Sequence, residues 1–310
     1  TQASSSAASD VYKRQDQKEV KGEIETVLFE VNRQMSTYDP TSEISRFNQF
    51  EDFNTWFPVS ELFAATTARA LRFSEISNGS FDPTVGPLVN LWGFGPGTSS
   101  EALPTDDAIA LAMSTVGFSA IDVRESDTVV GSAIQKKAER HLDLSAIAKG
   151  LGVDEIYALL VDLGYSNFLV EIGGEVRVKG DKDGSGWRVA VEKPVKEDRA
   201  VERLLSLKDM ALATSGDYRN YREIEGVAYS HTIDPSTGRP VTHQLASVTV
   251  ADSACAMADG WATTLLIMGP TSGYQLAVAK NLPAMFIERI GDDFLTRETP
   301  SFEQLFGGDI

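Results

Sequence analysis

One cysteine, Cys255, stands in a chain of 310 residues. An intrachain disulfide is therefore impossible, and a cysteine-rich metal centre is excluded. Histidine is nearly as scarce. His141, His231 and His243 are the whole supply and lie far apart, so a metal held by three imidazoles is discounted. No apolar run approaches the ~18–20 residues that a membrane-spanning helix needs. Positive charge is short as well: 28 Lys and Arg against 45 Asp and Glu give a formal net charge of -17. Such a surface repels nucleic-acid phosphate and anionic lipid over long range. Nucleic acid is thus not an expected partner. A phosphate-bearing ligand must find positive charge locally, in a metal or a few cationic side chains.

What is present reads as one globular unit, 42% apolar, without internal repeats or charge-block linkers. Residues 1–16 are Ser- and Ala-rich and have no apolar h-region, so they are not a signal peptide. The stretch SAASDVYKRQ resembles a translated adapter remnant, and residues 1–16 are read as a non-native or disordered leader. Apolar residues at Val20, Ile24, Val27, Leu28 and Val31 mark a helix over Glu19 to Met35. Ser60 is the expected N-cap of a helix that Asn78-Gly79 ends. Residues 83–100 read as an irregular loop, and Asp106 as the cap of a short helix ending near Gly117. AIDVRES, TVVGSAI and HLDL read as short strands. A helix over Ala146 to Leu163 follows, then a strand, a Gly-Gly turn and a strand in NFLVEIGGEVRVKG. Further strands in GWRVAVEKP, ALATSG, YREIEGVAYSHTID and LASVTVAD precede a helix from Ser253 to Met268, closed by Gly269-Pro270. A last helix over 271–280 and the strand AMFIERI complete the pattern. Strands and helices are intermixed with hairpin turns, which predicts a single compact α+β domain with a mixed, largely antiparallel sheet.

Four constellations look chemical. Asp259 and Thr263 are four apart on one helix, so they share a face. A carboxylate with a hydroxyl is hard-oxygen ligation suited to Mg²⁺, or simply a polar stripe. The helix is otherwise apolar, and a buried carboxylate needs a counter-charge. In DLSAIAKG, residues 143–150, free N–H groups at a helix start and the Lys149 ammonium attract anions; an ordinary cap with an exposed lysine is the plainer alternative. In the Gly/Pro-rich loop 77–96, Asp82 before Pro83 is held extended and offers its carboxylate to a ligand, unless the loop serves packing alone. Residues 213–241 gather Ser215-Gly216, Arg219, His231, Asp234 and Arg239. Histidine beside turn-borne arginines suits proton transfer near phosphates, although a lone strand histidine is commonly structural.

Their joint order resembles the FAD:protein FMN transferase family, the ApbE-type proteins. The resemblance runs through MSTYDPTSEISRFN (35–48), GSFDPTVGPLVNLWGFGP (79–96), LDLSAIAKG (142–150), EIGGEVRVKG (171–180) and WRVAVEKP (187–194). It continues through ATSGDYRNY (213–221), SHTIDPSTGRPV (230–241) and SVTVADSACAMADGWATTLLIMG (247–269). It therefore covers almost everything from about Glu19, and implies one transferase domain over 17–310 with an ApbE-type, T-fold-like architecture. The family's amino-terminal strand, with its Thr-Met-Gly-Thr motif, finds no counterpart in the sequence. By resemblance Tyr38 faces the flavin, and Ser80, Phe81, Asp82, Asp143, Lys149 and Ile233 contact FAD. Mg²⁺ takes the side chains of Asp259 and Thr263 and the backbone carbonyl of Ala146. Some members carry an acid where this chain has Ala262, which implies more water on the metal. His231 matches the histidine that assists proton removal.

The implied reaction moves FMN from FAD to a threonine hydroxyl of an acceptor flavoprotein, leaving a phosphoester and AMP. Family acceptors are subunits of membrane redox complexes of the Nqr and Rnf type. The implied location is the bacterial periplasm or the outer face of the cytoplasmic membrane, often with a lipid anchor. An FAD pyrophosphatase, with water in place of threonine, and a non-enzymatic flavin carrier are the rival readings.

Overall fold

The computed structural model describes residues 2–95, 102–126, 130–182, 184–195, 200–217, 221–224, 226–291 and 293–308, with side chains from Lys18 on, Ala228 excepted. The helices are α1 (Gln2–Met35), α2 (Glu43–Gln49), α3 (Glu61–Ile76), α4 (Gly86–Leu91), α5 (Asp106–Ser114), α6 (Ser145–Asp162), α7 (Cys255–Ala279) and α8 (Pro300–Phe306). The strands are β1 (Phe57–Pro58), β2 (Ile121–Arg124), β3 (Ala133–Lys136), β4 (Phe168–Ile172), β5 (Glu175–Lys179), β6 (Trp187–Glu192), β7 (Val201–Leu207) and β8 (Ala211–Gly216). They continue as β9 (Tyr221–Ile224), β10 (Val227–Ser230), β11 (Ile233–Asp234), β12 (Arg239–Pro240), β13 (Leu245–Asp252), β14 (Ala284–Ile290) and β15 (Asp293–Glu298).

The expected α+β architecture is the observed one. A six-stranded sheet in the order β15-β14-β13-β8-β5-β4 forms its middle. Every pairing among the described residues is antiparallel, so the mixed sheet expected from sequence is fully antiparallel here. The period-two rule sorts its side chains. On β14, Ala284 and Phe286 join a core with Phe73, Ile147, Trp261 and Leu265 on the helical face. Met285 and Ile287 alternate to the other face, against Val191, Leu205 and Leu207 of the β6–β7 hairpin and Phe302 and Phe306 of α8. The sheet is thus covered on both faces, by α3, α6 and α7 on one and by the hairpin and α8 on the other.

Several local expectations hold. Ser60 caps α3, its hydroxyl accepting the Phe63 N–H, and Gly173 and Gly174 turn β4 into β5 with positive φ. Others are corrected. Helix α1 begins at Gln2, ahead of the Glu19 start expected from the apolar spacing. The loop 83–100 contains α4. Thr105, not Asp106, caps α5 through Ala108 N–H, while Asp106 sits in the first turn, where the helix dipole favours an acid. HLDL forms no strand. The Asn48 amide brackets Leu142 at 2.9 and 2.7 Å, taking the hydrogen bonds a partner strand would have made. Helix α7 starts at Cys255 rather than Ser253, and its non-helical Gly269 (φ 79) before Pro270 divides it into the two helices expected from sequence, meeting at a kink. Helices α2 and α8 and strands β1, β7, β12 and β15 have no counterpart among the elements expected from sequence.

Helix α7 is aimed by α6. Its preceding residue Ala254 has no capping side chain. Instead the Asp154 carboxylate on α6 accepts from the Cys255 and Ala256 N–H groups at 2.8 and 2.9 Å, satisfying first-turn donors and favouring the positive helix end. The two helices cross where Gly150 meets Cys255: a Cβ at Gly150 would lie 2.5 Å from the Cys255 carbonyl oxygen. Ala gains up to about 1 kcal/mol over Gly as a helix former, whereas overpacking against backbone costs about 1–3 kcal/mol. Gly150→Ala is therefore expected to lower the urea midpoint of unfolding, and an unchanged or higher midpoint would show that the crossing gives way easily.

Candidate active site

A cavity of about 730 Å³ opens where the 81–95 loop, the start of α6, the Asp259 to Ile267 stretch of α7, the Gly173-Gly174 turn, β6, the end of β8 and the segment 231–235 meet. Its size is that of a cofactor cleft. Among its lining residues, six carboxylates face one lysine: Asp82, Asp143, Glu171, Glu175, Glu192 and Asp259 against Lys149.

Asp259 is buried. Its Oδ2 accepts the Gly150 N–H at 2.9 Å, the donor that an undistorted helix would aim at the Ala146 carbonyl. Burial pushes the Asp259 carboxyl up to about 7, with Glu175 adding to the effect and Lys149 and Gly150 opposing it. Thr263 lies one turn on, its hydroxyl 2.8 Å from the Ser215 hydroxyl on β8. Glu175, at the start of β5, is also buried and forms an ion pair with Lys149. Burial pulls Lys149 down, yet Asp259 and Glu175 together hold its ammonium above the usual value.

The 81–84 loop is braced from within. Asp82 Oδ1 accepts from the Thr84 backbone and hydroxyl at 2.8 and 2.6 Å, and Oδ2 accepts the Phe118 N–H at 3.0 Å. Burial nevertheless raises its carboxyl above the usual range. Its carboxylate therefore shapes the loop, which qualifies the expectation of a side chain open to ligand. Asp143 donates its N–H to the Pro83 carbonyl at 2.7 Å and accepts Ser145 N–H at 2.9 Å, tying this loop to the start of α6. Trp92 Nε1 donates to the Gly238 carbonyl at 2.8 Å, fixing the far end of the loop against the β11–β12 turn. His231, between β10 and β11, meets the Phe94 ring edge-on at 6.3 Å.

The match to the ApbE family model extends over residues 3–286. This chain belongs to the ApbE family. It is 44% identical over 93% of its length to the FAD:protein FMN transferase of Vibrio cholerae, covering 85% of that protein. With the Haemophilus influenzae FAD:protein FMN transferase it shares 42% over 91%, covering 82% of that protein. In three dimensions it is similar to the Vibrio cholerae flavin transferase ApbE (TM-score 0.84, 42% identity, 93% of this chain and 91% of that one). It is equally similar to the apo Pseudomonas stutzeri flavinyl transferase ApbE (TM-score 0.85, 37% identity, 95% and 90%).

For this ApbE-family chain, the cavity gathers Tyr38, Phe81, Asp82, Asp143, Ala146, Lys149, His231, Ile233, Asp259 and Thr263, while Ser80 is not among its lining residues. Arg239 also lies elsewhere, paired with Asp106, because the Pro-Ser-Thr-Gly turn points it at α5; Arg219 is outside the described residues. Glu175, Glu171 and Ser215 line the cavity as well. The two glutamates read in sequence as ordinary polar positions flanking a Gly-Gly turn, and only the Lys149 contact distinguishes Glu175. Among the described residues no three of His, Cys, Asp and Glu converge closely enough to hold a metal. Asp259, Thr263 and Ala146 line the cavity together, and a carboxylate, a hydroxyl and a backbone carbonyl there would hold a cation with water and ligand oxygens completing its shell. That donor set suits Mg²⁺, which keeps several waters and commonly takes one or two carboxylates plus phosphate.

Tyr38 stands at the rim, 72% exposed. A solvent-exposed ring at a cavity edge gains most by covering a planar ligand. Offset aromatic packing contributes about 0.5–1.5 kcal/mol beyond area burial, so Tyr38→Ala is expected to weaken FAD binding about two- to tenfold. An unchanged dissociation constant, measured by quenching of flavin fluorescence, would remove Tyr38 from the flavin site.

Proposed function

We propose that this chain transfers FMN from FAD to a threonine hydroxyl of an acceptor flavoprotein, forming a phosphoester and releasing AMP in a Mg²⁺-dependent reaction. The observation that carries this reading is the charge balance of the cavity. Among the described lining residues the acids outnumber the cationic side chains, so a pyrophosphate there calls for further positive charge, and Asp259, Thr263 and Ala146 line the same cavity as His231. The relatives named above bear the corresponding activity in their names.

Chain residues then divide the work. Tyr38 and Phe81 flank the flavin, and Ile233 gives it an apolar wall. Lys149 meets phosphate oxygen with a charge-assisted hydrogen bond. Asp259, Thr263 and the Ala146 carbonyl would hold Mg²⁺, which would supply positive charge to the pyrophosphate oxygens. The threonine oxygen attacks the FMN-side phosphorus, a ring nitrogen of His231 takes the hydroxyl proton, and the bond from that phosphorus to the AMP phosphate oxygen breaks. The acceptors we favour, by family membership, are subunits of Nqr- and Rnf-type membrane redox complexes, met at the bacterial periplasmic face. No helix among the described residues is long and apolar enough to cross a membrane.

Incubation with FAD, Mg²⁺ and a threonine-containing acceptor peptide tests the reading. The expected product is peptide heavier by one FMN moiety, with one AMP released per modification. AMP and free FMN with unmodified peptide would overturn it in favour of pyrophosphatase activity.

A further inference from the structure

Glu175 is a buried cavity residue that the reaction above leaves unused. It is 1% exposed, and it lines the cavity beside Asp259. Oε1 accepts the Lys149 Nζ, whereas Oε2 is buried without any hydrogen-bond partner. An orphaned buried carboxylate oxygen is costly, and it persists here next to a second buried carboxylate. The Lys149 ammonium pairs with Glu175, and its charge also acts on Asp259 in the same cavity. Lys149 comes from the first turns of α6, and its stem packs under the Gly173 turn, where a Cβ would lie 3.6 Å from Lys149 Cδ and 3.7 Å from Glu175 Oε2.

We propose that Lys149 is a placeholder cation: in the ligand-free enzyme its ammonium, paired with Glu175, supplies the positive charge near Asp259 that a divalent cation on Asp259, Thr263 and the Ala146 carbonyl would supply, and it leaves for phosphate when FAD and metal arrive together. This rests on the metal reading above. A metal on Asp259 and the neighbouring Lys149 ammonium repel each other, so metal alone binds the resting site weakly. A phosphate ligand gives Lys149 a second anchor and removes that competition. Loading is thereby ordered, with substrate favouring metal and metal favouring substrate, as reciprocal coupling requires. Glu175 is a positioning residue in this scheme. It holds the lysine at rest and adds negative charge to the metal site once the lysine has moved.

The test is Mn²⁺ binding without FAD, followed by electron paramagnetic resonance at about pH 8, where a proton is least able to replace the lysine. Lys149→Met keeps the stem and removes the charge. It is expected to bind Mn²⁺ about tenfold tighter than the parent, while its FAD affinity falls. Glu175→Gln is expected to bind Mn²⁺ about tenfold more weakly, and Lys149→Arg to stay near the parent. Equal Mn²⁺ affinity in Lys149→Met and the parent, with Asp259→Asn weakened, would overturn the placeholder role and leave the metal assignment standing. Mn²⁺ affinity that is unaffected by Asp259→Asn would overturn both. Thermal melts of each variant report folding, so a lost signal from an unfolded chain is not mistaken for lost affinity.

Discussion

His231→Asn is expected to slow FMN transfer by ~10²–10⁴-fold, the usual contribution of a positioned general base, while FAD affinity stays close to the parent's. A base acts mainly in the transition state, so its loss appears in kcat rather than in ground-state binding. The imidazole stands in the cavity wall with Phe94 against its ring, and Asn keeps a polar side chain of similar reach in its place. His141 and His243 supply controls, since neither lines the cavity. The parent rate should climb with pH to a plateau, because only a neutral imidazole accepts a proton, and the variant should lack that limb. Saturating Mg²⁺ keeps Asp259 from adding a limb of its own, since a metal-bound carboxylate stays ionised. Transfer at the parental rate with an unchanged limb would make His231 structural and move the base to the cavity's carboxylates.

The sequence was most legible where chemistry is local. Ser60, the Gly173-Gly174 turn and the apolar spacing from Val20 to Val31 in α1 act within a few residues, so the pattern alone places them. The Asp259–Thr263 pair was legible because helical spacing puts i and i+4 on one face. Contacts between distant segments were not. Asn48 replacing a strand at Leu142 spans 94 residues, and the Arg239–Asp106 pair spans 133; no local pattern announces either. Glu175 shows the limit most clearly. Its polarity fits a strand end, and its function-bearing feature, a buried oxygen without a partner, exists only once α6 brings Lys149 beside β5. Asp82 shows the converse: the sequence marks it as a ligand-facing acid, but Thr84 and Phe118 have already taken its oxygens.

Asp259→Asn should abolish transfer and yet stabilise the metal-free protein. The activity loss follows from removing the only carboxylate among the three residues assigned to the metal, worth several kcal/mol of charge stabilisation on phosphate, or about 10³-fold in rate. The stability gain follows from linkage. An Asp carboxyl ordinarily titrates near 3.8, whereas burial brings this one to about 7. Between those values the folded chain binds more protons than the unfolded chain, so stability falls as pH rises through the interval, and the penalty is complete above about 7. Three pH units set a ceiling of about 4 kcal/mol. Relaxation and water entry leave an expected 1–2 kcal/mol, or roughly 2–4 °C in Tm. Asn keeps an oxygen for the Gly150 N–H and carries no charge, so it escapes the penalty. The variant should therefore melt higher than the parent at about pH 8 without metal, with the gap closing as pH approaches about 4. Adding Mg²⁺ should raise the parent's Tm and leave the variant's unchanged, because binding to the folded state stabilises it by mass action. A variant that melts lower than the parent at pH 8 and still gains from Mg²⁺ would show that Asp259 is neither a penalised buried charge nor a metal ligand.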